Sequence, residues 1–497
     1  MKRSVIRITI FILLLVAVLV FCDRVLSPKH GDGIYDLTKY YELEKDTVDV
    51  LILGSSLCFE NFNTGTLWDE YGISAFDLGG SNQPPWNTYF YLKEALKTQH
   101  PKLIILEASN TKQYEDFSAQ QYIVKNNYGL RWSRNKVDSL LASIRKGSRD
   151  SYIPEFLRYH YRYSDISRGD FLKDQGNPLY YDWKGFACNL GTYPTKAPDL
   201  AGITQTGYLS EKSEWYYIHI LELAQQENIP IEVVIAPYTD CYDEEMMALN
   251  RAAEIAREKG VTFTNCLLMA DEIGIDFSTD MADPVHLNYR GNRKFTHFIG
   301  EYITGKYDIP DHRNDERYSS WQRQADYIRR MISDQELREC YAPDEYLERI
   351  CAKGFDDYEV LVSVDAGGDG NDDTAAGVLG RLGIDYDGTP GVWCIKNNTV
   401  IWGSSDDDRD HFIELPLSDI RVKRCDEGDD EGNLIVVDNV DCKTQTGGVN
   451  IVIYDDVTAA VEDSIAIFPG DEGSADSIKM VRNDELLSGR NVTGEQQ

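Results

Sequence analysis

At 497 residues, with 42% hydrophobic side chains and 31 tyrosines, the chain has room for two or three domains and can bury a sizeable core. Its formal net charge of −33 argues against nucleic acid as a partner and against docking on anionic lipid by charge alone. The acidity is uneven: from Phe355 to the end about 32 acidic side chains face about 10 basic ones, which marks off a separate domain.

Lys2, Arg3 and Arg7 precede an apolar run from Ile8 to Cys22. Counted from Val5 the run is 18 residues, long enough to span a bilayer with Arg7 snorkelling to the surface. The basic flank keeps the N-terminal side cytoplasmic and sends the remainder out. A cleavable signal would want small residues at its exit, and the exit here is Leu-Val-Phe-Cys-Asp. Residues 1–23 are therefore expected as an uncleaved, single-pass anchor in the cell membrane. Residues 24–45 read as a polar linker that lifts the rest off the membrane.

From residue 46 the chain alternates strand and helix. Val48 and Val50 to Leu53 form an apolar run that stops at Gly54 and reads as a buried parallel strand, with Ser55 and Ser56 after it. A short helix over 59–71 leads to a second strand, 73–78, ending in Gly79-Gly80-Ser81-Asn82-Gln83. A helix over 87–97 leads to a third strand, 101–107, ending in Ala108-Ser109-Asn110. Between about 112 and 208 the alternation lapses into a stretch rich in Tyr, Trp and Arg, expected as an inserted, mostly helical lid. Its aromatics (Tyr152, Tyr159, Tyr161, Tyr163, Tyr180, Tyr181 and Trp183) suit stacking on sugar rings and equally suit a small core. His160 reads as a structural residue of that lid. Alternation returns with a helix over 211–228, a strand over 231–236, a helix over 243–259 and a strand over 261–265. Asp283-Pro-Val-His286 follows, and a helix over 290–303 closes a domain set at 46–310.

Residues 311–354 read as a helical connector. The acidic stretch 355–475 alternates short strands with turns and is expected to be an all-β domain, and 476–497 a flexible tail. Asp365 to Asp373 reads as a solvated acidic turn rather than a calcium loop, since it lacks EF-hand spacing and the terminal glutamate. Gly448 to Asp455, with Asp463 to Ile465, faintly resembles the β-sandwich domain of interleukin-like inducer proteins, which is linked to carbohydrate. The ten cysteines contain no C-x-x-C pair, so no metal site is expected, and no cofactor motif stands out. Cys340/Cys351 and Cys425/Cys442 have the spacing of local disulfides and are equally read as thiols.

The chemistry gathers at two places. Ser55 and Ser56 sit at the carboxyl end of the first strand, where open α/β sheets put their ligands. A serine needs a base, and Asp283-x-x-His286 offers an imidazole with a carboxylate close enough to orient it. Cys58 has no histidine near it in sequence and reads as a packing residue. Gly-x-Ser after the first strand and Asp-x-x-His before the last helix resemble the SGNH (GDSL-like) hydrolase superfamily. The resemblance covers residues 46–304 and implies an α/β fold: a flavodoxin-like three-layer sandwich whose five parallel strands run in the order 2-1-3-4-5. It implies Ser56 as nucleophile, His286 as base and Asp283 as its orienter, with an oxyanion hole formed by Ser56, Asn82 and Asn110. Ser55 occupies the slot where the family usually has aspartate. Gly-Ser-Ser resembles a membrane-bound branch that modifies cell-surface polymers beside membrane-bound O-acyltransferases. The implied activity is serine acyl-esterase or O-acyltransferase chemistry on a cell-surface polysaccharide or cell-wall polymer, with no cofactor. The rival reading, motivated by Ser55 and Asn82, is a non-catalytic scaffold or carbohydrate-binding subunit. A glycosidase would need paired carboxylates, and none can be singled out among 83 acids.

Overall fold

The computed structural model describes residues 2–27, 33–112, 115–152, 156–164, 166, 168–171, 183–200, 202–352, 358–365, 372–405, 407–415, 418–425, 432–445, 447–470 and 478–488. It divides into two compact units, Met1–Arg329 and Arg330–Gln497.

In the first unit, five short strands form a parallel sheet: β1 (Val50–Gly54), β2 (Ala75–Gly79), β3 (Leu103–Glu107), β4 (Ile231–Ile235) and β5 (Thr262–Asn265). Their order is β2-β1-β3-β4-β5, as the sequence resemblance implied. The first four strands are buried along their whole length, which is why they read as continuous apolar runs rather than alternating ones. β5 closes one edge and is partly exposed. Val50 stands level with Ala75 and Leu103, and Gly54 with Gly79, so β1 and β2 end flush. Helices Pro85–Ala95, Glu211–Gln226, Asp243–Glu258 and Tyr289–Lys306 pack onto the sheet through side chains such as Tyr91, Tyr217, Leu249 and Phe295.

Both expected boundaries of this domain are too tight. The stretch expected as a linker contains the helix Ile34–Tyr40, whose Leu37 and Tyr40 are buried in the sheet's core. The Tyr40 ring meets Phe76 edge-on, with centroids 5.0 Å apart. At the other end the helix Ser319–Arg338 brings Trp321 and Ala325 into the same core, and Trp321 Nε1 donates to the Ala75 carbonyl at 2.9 Å.

The 112–208 stretch is less helical than expected among its described residues. Helices Gln120–Lys125 and Arg134–Ser143 and a few single turns precede an irregular run from Trp183 to Leu209. Tyr152 is buried and Tyr159 partly so, in a small core with Ile34, Tyr128 and Leu140; Tyr180 and Tyr181 lie outside the described residues. The irregular run is held by backbone hydrogen bonds from Ala187 to Phe59, Tyr193 to Met281 and Thr195 to Phe277. Helix Lys2–Leu26 contains a 24-residue stretch, Arg3–Leu26, long and apolar enough to cross a membrane, with an 18-residue window of mean hydropathy 3.0. A signal sequence would have the same character.

The second unit is not all-β. A six-stranded antiparallel sheet is built from Tyr358–Val364 (β6), Gly391–Lys396 (β7), Thr399–Gly403 (β8), Val449–Asp455, Ala460–Pro469 and Ile478–Arg482. A four-stranded sheet is formed by Asp410–Glu414, Asp419–Lys423, Leu434–Val437 and Val440–Asp441. Side chains alternate along the strands. Val360, Val362, Ile451 and Ile453 pack with helical side chains, among them Leu337, Tyr346, Leu347, Val378 and Leu379. Leu361, Val452 and Tyr454 pack with Ile420, Val422 and Ile435 of the smaller sheet. The layers are thus helix, sheet and sheet, and the 311–354 connector is in part a layer of this unit. The expected flexible tail supplies a strand, Ile478–Arg482, and a helix, Asp484–Ser488, before the described residues end. Most of the acidic turn at 365–373 also lies outside them. All ten cysteines are thiols, and Cys340 and Cys351 Sγ donate to the Ala342 and Arg381 carbonyls instead of bonding each other.

Candidate active site

β1 ends at Gly54 because nothing larger fits there. A Cβ on this residue would lie 2.7 Å from the Glu107 carbonyl oxygen and 2.9 Å from the Glu107 Cβ. The close approach of β1 and β3, rather than a left-handed turn, therefore selects glycine. Ser55 follows in extended conformation, buried, as the N-cap of the helix Ser56–Asn61. Ser56 is the first residue of that helix, so its backbone N–H has no partner within the helix.

Ser56 and the Asp283-x-x-His286 turn, 230 residues apart, bring the three side chains into one relay. His286 Nε2 lies 2.8 Å from Ser56 Oγ, and His286 Nδ1 lies 2.8 Å from Asp283 Oδ2. With an ionised carboxylate on one side, Nδ1 carries the proton and Nε2 accepts from the serine hydroxyl. Asp283 is itself locked by its own turn: its Oδ1 accepts from the backbone N–H groups of Val285 at 2.7 Å and His286 at 2.9 Å. The turn is pinned to the loop after β4, where Thr239 donates to the Pro284 carbonyl from its backbone at 2.9 Å and its hydroxyl at 2.8 Å. Asn288 then caps the helix Tyr289–Lys306 by accepting from Arg290 and Gly291.

Two further side chains complete the site, and neither was expected from the sequence. Glu60 Oε2 lies 3.5 Å from His286 Nδ1, and Asn189 Nδ2 donates to the same oxygen. Asn61 is fully buried, and its Oδ1 accepts from the Leu287 N–H at 3.0 Å, tying the serine helix to the histidine turn. A signal for Glu60 was present. A helix starting at Ser56 puts position 60 one turn on, over the same face, whereas a helix starting at 59 hides that spacing.

The electrostatics agree with the geometry. Burial pulls the His286 pKa down, but the Asp283 hydrogen bond and the charges of Glu60, Asp283 and Glu107 outweigh it, leaving the imidazole more basic than usual. Burial pushes Asp283 up, and the His286 hydrogen bond and charge, with the two backbone N–H groups, bring it below the ordinary carboxylate range. Glu107, at the end of β3, is fully buried and pushed up to about 7, although Ser109 donates to both of its oxygens. Cys58 is fully buried, and burial together with Asp77 and Glu107 raises its thiol well above normal, so it is inert as a nucleophile.

Asn82 and Asn110 lie at the ends of the neighbouring strands. Asn82 has φ 46°, a left-handed conformation that asparagine tolerates. Asn110 Nδ2 donates to the Gln83 carbonyl at 2.8 Å, which joins the loops after β2 and β3. Among the described residues, three acids lie within reach of a common metal ion, Asp334, Asp455 and Glu462, all in the second unit. Arg330 pairs with Asp455 at 2.6 Å, Arg338 pairs with Glu462, and Tyr358 donates to Asp334 at 2.6 Å, so their charge is already met by protein.

No family model matches the chain. No curated protein matches it either. Among solved structures it is similar to a protein described as lipolytic and of the G-D-S-L family, from Desulfitobacterium hafniense DCB-2. The two are 11% identical, with a TM-score of 0.27, over 52% of this chain and 100% of that one. It is also similar to an acetyl xylan esterase, at 11% identity and a TM-score of 0.27, over 51% of this chain and 99% of the other.

Proposed function

We propose that the chain is a membrane-anchored, extracytoplasmic serine acyl-esterase or O-acyltransferase acting on a cell-surface polysaccharide or cell-wall polymer. The observation that carries the proposal is the continuous Ser56–His286–Asp283 relay, with 2.8 Å at each step. Ser56 Oγ attacks the acyl carbonyl while His286 Nε2 takes its proton, and the oxyanion forms near the backbone N–H of Ser56, with the loops of Asn82 and Asn110 flanking it. The leaving alcohol takes the proton from Nε2 and departs, leaving an acyl ester on Ser56. An acceptor hydroxyl then attacks that ester, gives its proton to Nε2, and Ser56 Oγ is reprotonated. The acceptor is water for hydrolysis and a sugar hydroxyl for transfer. The Gly-Ser-Ser resemblance favours transfer, with a membrane-bound O-acyltransferase supplying the acyl group and the second unit holding the polymer. No step needs a cofactor.

A fluorophosphonate labels only a serine that a neighbouring base has activated. The full chain should be labelled on Ser56, and Ser56→Ala should not be. An unlabelled, folded wild-type chain would instead favour the scaffold reading.

A further inference from the structure

The apolar helix does not leave the first unit through a free spacer. Its last turn is built into the unit. Val25 is buried, Trp132 Nε1 donates to Asp23 Oδ2 at 3.1 Å, and Arg162 Nη1 donates to the Leu26 carbonyl at 2.8 Å. Arg162 is itself fixed by the buried Asp170, at 2.7 Å. Phe21, still inside the apolar run, meets Phe171 with ring centroids 6.4 Å apart. From Phe21 to Leu26 the helix rises only about 7 Å, so the unit's surface reaches down to where the apolar run ends.

Around that point large side chains stay in the open. Trp132, Tyr161, Tyr163, Ile166 and Phe171 are between 39% and 74% exposed. Their neighbours Tyr128, Leu140 and Tyr152 are buried in a small core, so that core is filled without the exposed set. Arg131 and Arg134 flank Trp132 and are exposed as well; Arg131 lies over the Tyr41 ring and Arg134 pairs with Asp138 at 3.5 Å. An indole and phenols beside guanidinium groups are the side chains a membrane–water interface accepts: amphipathic rings at headgroup level, with arginines reaching phosphate.

We propose that this collar is a docking surface for the phospholipid bilayer that the helix enters. Trp132, Tyr161, Tyr163, Ile166 and Phe171 seat in the headgroup layer, and Arg131 and Arg134 meet lipid phosphates. The proposal rests on the anchoring reading above. The bilayer is the occupant because the apolar helix, continuous with the collar, ends beside it. The first unit then rests on the membrane in a fixed orientation instead of swinging above it on a linker.

The test places the full chain in phosphatidylcholine nanodiscs whose acyl chains are either brominated or plain, and reads tryptophan emission. Brominated lipid should quench the wild-type chain, and Trp132→Phe should remove about half or more of that quenching. Trp68→Phe, buried in the core of the first unit's sheet, should remove none. Tyr163→Asp/Phe171→Asp should weaken the quenching while hydrolysis of a small soluble ester stays unchanged. A chain that does not enter nanodiscs overturns the anchoring reading. A chain that enters them, yet is quenched equally with and without Trp132, overturns the collar alone. Quenching that is absent, with Trp132 emission shifted by soluble cell-wall oligosaccharide, overturns it in favour of a sugar platform.

Discussion

On the Nδ1 side of His286 stand two carboxylates. Asp283 is closer, at 2.8 Å, but its side chain is 45% exposed; Glu60 is farther, at 3.5 Å, and only 16% exposed. Ser56→Ala and His286→Ala should each abolish hydrolysis of a chromogenic acetyl ester, and the double change should be scarcely worse than either. Where one acid alone orients the imidazole, losing it costs on the order of 10⁴ in rate. Asp283→Ala should cost less here, on the order of 10² to 10³, because Glu60 can take over the Nδ1–H; adding Glu60→Gln should restore the full loss. His286 must be neutral to act as base. Since its pKa is raised, activity is present above that pKa and is lost as pH falls through it. Glu60→Gln removes one of the charges that raise it, so the acid limb of the kcat/KM profile should move to lower pH. An unmoved limb would mean that Glu60 only packs. That Ser56, His286 and Asp283 come together was legible in the sequence because each sits in a short motif with fixed spacing. Glu60 was not, because its role depends on where a helix begins, and element boundaries are the weakest part of such a reading.

The elements carry the site through a few buried hydrogen bonds. Asn61 joins the serine helix to the histidine turn, and its Nδ2 also reaches the Pro237 carbonyl at 3.4 Å. Asn61→Leu keeps the branched four-atom skeleton of the side chain but leaves the Leu287 N–H unpaired in a buried place, which costs about 1–3 kcal/mol. The variant should show a lower Tm and a reduced kcat, with the fluorophosphonate still labelling Ser56. A loss of kcat without a change in Tm would assign Asn61 a purely geometric role. In the second unit Arg482 lies in the strand expected as a frayed tail. It forms a bidentate pair with Asp463, from 2.9 Å, and both side chains are nearly inaccessible. Breaking such a pair by removing one partner costs about 3–5 kcal/mol, because the other charge stays buried. Arg482→Met should accordingly unfold the second unit at markedly lower urea concentration than wild type. Composition hid this strand. Residues 471–477, rich in Gly, Ser and acidic residues, and the polar stretch 489–497 surround a five-residue strand whose partner lies earlier in the chain.

At the scale of the whole molecule, the sheet order was legible only through the resemblance carried by Gly-x-Ser and Asp-x-x-His; the alternation of strands and helices restricts the topologies but does not pick one. The limits of the first unit were not legible, because what completes a core lies at any distance along the chain. Residues 46–310, the domain expected from sequence, omit Leu37, Tyr40, Tyr318, Trp321 and Ala325, all buried in the core of the β1–β5 sheet. Burying a large apolar side chain contributes about 1.5–3 kcal/mol, so the four large ones among these five are together worth on the order of 10 kcal/mol. That is the size of a domain's entire stability. A chain of residues 46–310 alone should therefore be insoluble or molten, with exposed apolar surface that binds a hydrophobic dye. One of residues 33–329 should unfold cooperatively and hydrolyse small esters. Extending it to residue 353 should make it less soluble, not more, since it would then carry Leu337, Tyr346, Leu347 and Ile350 without the strands they pack on in the second unit. Circular dichroism melts of the three chains separate these outcomes. A cooperative melt from 46–310 equal to that of 33–329 would mean that the flanking helices decorate the core rather than complete it.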